Sequence, residues 1–167
     1  LVNMEINHAN IVIIDNILET IERFDPYGLM GFNAPDDLDN LLDREINNII
    51  FKQKNKTYKY LAPKDFMKVN SFQSISNEDN IYNKKIGDPD GFCLAWCFWY
   101  LELRIKNKNV HPKILVEKSI KKINLIQDSF ISHIRKYANY LLKDKFNELI
   151  KIGFNKDEIF KETISDD

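Results

Sequence analysis

The stretch "GDPDGFCLAWCFWY", residues 87–100, sets a cysteine where a polar turn with two of the chain's five glycines runs into an apolar helix. With Asp90 as the expected N-cap, Cys93 lies in the first turn, among backbone N–H groups that have no partner inside the helix. That field favours the thiolate and makes a cysteine nucleophilic near neutral pH. A thiolate nucleophile also needs an imidazole within hydrogen-bond reach and a third group that orients the imidazole. Of the three histidines, His111 stands before Pro112 in a loop and His133 in a lysine-rich late helix, so both read as surface residues. His8 opens an apolar, β-branched run, and Asp25 closes the next one at "RFDPYG". Adjacent antiparallel strands bring such residues within side-chain reach. His8, Asp25 and Cys93 are therefore the expected reactive set: base, orienting carboxylate and nucleophile. Each has a plainer reading too: Cys93 and Cys97 as small core residues, His8 as a strand-edge residue, Asp25 as the start of an Asp-Pro turn.

Several elements must position these three. "INHANIVIID" and "ETIERFDPYG" predict a β-hairpin. A start at Pro35, Asp36 and Asp37, followed by Leu38, Leu41, Leu42, Ile46, Ile49 and Ile50 at helical spacing, predicts an amphipathic helix to about Gln53. "TYKYLAP" and "FMKVNSFQSI" read as strands, and "SNEDNIYNKKIGDPDG" as a long polar loop of the kind that is commonly functional. The helix carrying Cys93 runs to about Asn107 and is apolar on every side in its first turns, so it is the expected buried central helix, with Trp96 and Trp99 in the core. Three more helices follow: one after Pro112 through Ile123, one over Phe130–Leu142, and one over Phe146–Ile152 that ends near Gly153. The expected fold class is α+β: a small antiparallel or mixed sheet packed around a buried central helix, with additional C-terminal helices.

Composition narrows the function classes. A chain of 167 residues reads as one domain, 1–167, that can bury a sizeable core, and the first residue lies so close to His8 that an upstream segment is expected to be missing. Lys and Arg (24) nearly balance Asp and Glu (25), which leaves no basic field for nucleic acid. The longest apolar run, Phe92 to Leu101, is about half of the ~20 residues a bilayer crossing needs. Two cysteines four apart make a poor disulfide pair, and no signal peptide opens the chain, so a reducing, intracellular setting is expected. A metal site from Cys93, Cys97 and a histidine is disfavoured, because an apolar helix offers few outer-shell partners. No cofactor is expected.

The order His, acid, Cys resembles the clan of cysteine peptidases that contains the adenovirus maturation protease and the SUMO/Ulp-type proteases. "HANIVIID", His8 to Asp15, matches that clan's histidine strand, Asp25 in "ERFDPYG" its acid, and "DPDGFCLAW" its cysteine turn. "RFDPYG" with "GDPDGFCLAWCFWYLELR" is more narrowly similar to the version in large DNA viruses. The similarity covers about residues 5 to 105. It implies an adenain/Ulp-like fold and a thiol protease, cutting peptide or isopeptide bonds after small residues. The implied protein substrate is a ubiquitin-like modifier or a viral polyprotein, met in the host cytoplasm or the virion. The sequence departs from the family at two points. The glutamine usually found shortly before the cysteine, whose amide helps hold the oxyanion, is replaced by Asp88 and Gly87; Gln73 is the nearest candidate upstream, with Asp88 second. The aromatic usual after the histidine is Ala9. The alternatives are a peptidase-like scaffold that has lost catalysis and serves as a binding module, and a structural role in which the lysine-rich late helices form a partner surface.

Overall fold

The computed structural model describes residues 8–30, 36–78, 80–86, 88, 89, 91–125 and 129–155. Strands β1 (Ile11–Asp15) and β2 (Thr20–Phe24) form an antiparallel hairpin in which Ile11 faces Phe24 and Asp15 faces Thr20. β3 (Lys59–Leu61) lies on the other edge of β2, parallel to it, so the sheet order is β1-β2-β3. Helix α1 (Asp36–Lys54) supplies the crossover between β2 and β3 that parallel pairing demands.

β2 is covered on both faces, and its sequence alternates accordingly. Ile21 packs with Ile50 of α1 and Tyr58, and Arg23 faces Asp39 of α1. Glu22 and Phe24 face the opposite way, toward α4 (Cys93–Lys106). The Phe24 and Tyr100 rings stack at 4.0 Å, and Phe72 sits 5.2 Å from Trp96 in the same cluster. α5 (Pro112–Leu125) adds Val116, Ile120 and Ile123 to this core, and α6 (Phe130–Lys151) adds Phe130 and Ile134.

Four expectations are corrected here. "FMKVNSFQSI" is not a strand: α2 (Pro63–Phe66) and α3 (Phe72–Ser76) are short helices, because Pro63 opens the first and the Ser71 backbone N–H bonds to Ser74 Oγ at the start of the second. The residues read as two late helices are one, α6, uninterrupted through the lysines between Leu142 and Phe146. The central helix is not buried on every side: Trp96, Cys97, Tyr100 and Arg104 face inward, while Leu94 is 58% and Phe98 46% exposed. Its apolar residues encircle it, but a small sheet covers one face and α6 only part of another. His133 is not a plain surface residue, since its ring lies 6.1 Å from Trp96 and 5.6 Å from Trp99.

Candidate functional site

β2 ends at Phe24 and the chain turns at once through Asp25, Pro26, Tyr27 and Gly28. Asp25 Oδ1 accepts from the Tyr27 backbone N–H at 3.0 Å, and the Asp25 carbonyl from Gly28 N–H at 2.9 Å, the side-chain-closed turn that Asp-Pro favours. Gly28 has φ +76°, and a Cβ there would stand 2.4 Å from the Lys68 carbonyl oxygen, so glycine is required for this turn. The turn aims the Asp25 carboxylate across the hairpin mouth, where the same Oδ1 meets His8 Nε2 at 2.8 Å. The Tyr27 ring supports the imidazole at 5.2 Å between centroids.

The sulfur arrives from the other layer. Cys93 is the first residue of α4, whose N-cap is Phe92. The expected cap, Asp90, and Gly87 lie outside the described residues. One turn on, the buried Cys97 thiol donates to the Ala9 carbonyl at 3.5 Å, tying the segment beside His8 to α4. His8 and Cys93 act on each other's protonation, each favouring the other's charged form. Their proton affinities move in opposite directions. Burial opposes charge on the imidazole, yet the hydrogen bonds to Asp25 and Cys93 outweigh it and raise His8 to about 9. The His8 hydrogen bond draws the Cys93 thiol below its ordinary value against burial, helped by backbone hydrogen bonds at Ala9 and Leu94. For Cys97, burial pushes the thiol up to about 12, which leaves it an inert core residue. The arrangement therefore favours a thiolate beside an imidazolium, with Asp25 bonded to the ring.

Gln73 stands on α3, buried, with its backbone N–H donating to the Pro26 carbonyl at 2.9 Å. Its Nε2 lies 3.4 Å from where a Gly91 Cβ would be, against the backbone just before Cys93, and its buried Oε1 has no partner among the described residues. The amide is thus a donor that can meet negative charge on an atom beside the sulfur. Asp88, the second choice for that position, is committed elsewhere: its carboxylate takes Arg135 Nε at 2.7 Å and Nη2 at 2.5 Å, locking the loop to α6.

Two buried residues behind the site were not anticipated as parts of it. Glu78 accepts from Phe92 N–H at 2.9 Å, Trp96 Nε1 at 2.8 Å and Ser76 Oγ at 2.7 Å, so one carboxylate anchors the start of α4. Nothing in "SNEDN" distinguishes it from a solvated loop acid. Arg23 is 2% exposed and grips Asp39 through Nε at 2.7 Å and Nη2 at 3.0 Å. A charge at an alternate position of an apolar strand was the available signal.

The chain resembles a mimivirus protein. Over 156 residues, 89% of this chain, it is 35% identical to a protein of Acanthamoeba polyphaga mimivirus named as an ankyrin repeat protein. The chain spans 20% of the length of that curated relative. No family model matches, and no solved structure matches. The relative bears the name of a repeat protein and not of a peptidase. On that finding the expected membership in the adenovirus-protease/Ulp-type clan is corrected, together with the thiol-protease activity and the hydrolase, enzyme and modifier-removing labels drawn from it. The correction concerns family and reaction; the 2.8 Å bond between His8 and Asp25 is unaffected by it. No helix among the described residues is long and apolar enough to cross a membrane.

Proposed function

We propose that this chain is a protein-interaction module of a larger, virus-type protein, and that it offers an activated cysteine to what it binds. The observation that carries this reading is the meeting of His8, Asp25 and Cys93 at the start of α4, where Phe92 and Leu94, the neighbours of Cys93 in the chain, line an apolar groove. The groove encloses about 750 Å³ between α4 and α6, and Leu94, Phe98, Ala138 and Leu142 are among its lining residues. Exposed apolar area of this kind suits a protein surface better than water. The relative's name supports a binding role, since ankyrin repeats stack into extended recognition surfaces. Such repeats are two-helix units of about 33 residues, whereas the described chain is built on a three-stranded sheet. We therefore read it as a unit that accompanies repeats, working in the infected cell, with an α+β scaffold of the adenain/Ulp kind and a protein as its partner.

The test is the pH profile of Cys93 alkylation by iodoacetamide, read by mass spectrometry. Wild type should react with a midpoint well below the ~8.5 of a free cysteine, and His8→Ala should return the midpoint to that value. An ordinary midpoint in wild type would overturn the activated thiol. The binding half is tested by cross-linking from Cys93 to a defined partner, which Leu94→Glu with Phe98→Glu should abolish. Turnover of ubiquitin or SUMO reporters by wild type but not by Cys93→Ser would overturn the interaction reading.

A further inference from the structure

Arg23 touches the chain just after the histidine and the histidine's acid. Its Nη1 donates to Asn10 Oδ1 at 2.7 Å, two residues after His8, and lies 3.5 Å from Asp25 Oδ2. Asp25 Oδ1 is the oxygen that His8 takes. The remaining guanidinium nitrogens are held by Asp39 on α1, which also accepts from Tyr60 on β3 at 2.7 Å. A planar fork can bind two partners at fixed angles, which a lysine cannot do.

We propose that Arg23 is a positioning residue for the Cys93–His8 pair, clamping the segment between His8 and β1 through Asn10 and the histidine's acid through Asp25. The proposal rests on the reading of His8, Asp25 and Cys93 as one charged site. The charged and titratable groups around the clamp are Asp25, Asp39 and Tyr60, with Lys64 of α2 beyond Asp39. Those around the sulfur are His8 and, electrostatically, Cys97. Arg23→Lys keeps the charge and loses the fork, so His8 should drift from the sulfur while the fold's net charge stays constant.

The experiment is the same Cys93 alkylation profile on the full chain, with thermal melts run alongside. Arg23→Lys should lower the rate at pH 6 about tenfold, one unit of thiol pKa, and leave the high-pH plateau unchanged. A purely structural role would lower the melting temperature without moving the profile. Asn10→Ala, at an exposed position that tolerates truncation, should shift the profile in the same direction by a smaller factor. If Arg23→Lys folds and its profile superimposes on wild type, the proposal is overturned. If Arg23→Lys does not fold, an unshifted Asn10→Ala profile overturns it instead. A wild-type midpoint near that of free cysteine would sink the charged site itself, and the clamp with it, and that result is distinct from the other two.

Discussion

At the level of single residues, the partners of His8, Asp25 first and Cys93 second, make the imidazole's contribution to stability depend on pH in a defined direction. The folded imidazole is raised from 6.5 to about 9. A raised basic group stabilises fully below its unfolded value, and that contribution is lost as pH rises through the folded one. The stability gap between wild type and His8→Ala should therefore be largest at or below pH 6.5 and close as pH passes about 9. Chemical denaturation at four or five pH values checks this, and a gap that widens above pH 8 would contradict it. These residues were open to view in the chain because their chemistry is local: a cysteine after a glycine turn, an Asp-Pro turn, a histidine at the head of an apolar run. Gln73 was also named, although its proximity to Gly91 depends on α3 folding back under the Pro26 turn. Glu78 escaped notice, since an acid in a polar loop acquires meaning only when three buried donors surround it.

Among the secondary-structure elements, α4 is the one whose placement governs the sulfur, and Glu78 holds its first turn. Glu78→Ala would strand the Phe92 N–H and the Trp96 indole, both buried. Each buried donor left without an acceptor costs roughly 1–3 kcal/mol, so a loss of about 3 kcal/mol is expected in urea denaturation. The same variant should slow Cys93 alkylation near neutral pH, because the helix start that presents the sulfur loosens. Hairpin and helix periodicities were legible here: Ile11–Asp15 and Thr20–Phe24 pair as β-branched runs should, and α1 follows its leucines and isoleucines. The segment from Pro63 to Ser76 was not, because its apolar residues Phe66, Met67 and Phe72 are buried by two short helices whose spacing mimics a strand. In α6, the polar stretch between Leu142 and Phe146 looks like a break, yet its two lysines are good helix formers and carry the helix through one aspartate.

For the molecule as a whole, the layers are joined by buried charge as well as by rings. Arg104 of α4 donates to Glu22 of β2 at 2.7 Å, and both are fully or nearly buried. Burial raises the Glu22 carboxyl, with Arg104 pulling against it. Arg104→Met would leave that carboxylate unpaired, at a cost of about 3–5 kcal/mol near neutral pH. Since an isolated buried acid prefers its proton, the deficit should shrink as the solution is acidified, which thermal melts at two pH values would reveal. The relative from mimivirus bears on this scale alone: it overturns the peptidase reading by name, while the chain's own geometry carries the thiol site. Residue types and their periodicity determined the hairpin, α1 and α4 and which side chains can ionise or attack, because those properties reach no further than a turn or a strand. The tertiary structure alone decided that a sheet covers one face of α4 and leaves Leu94 and Phe98 at a groove, and that Arg23 spans from Asn10 to Asp39. Such facts depend on which surfaces meet, and the free energy of that meeting is shared among residues far apart in the chain.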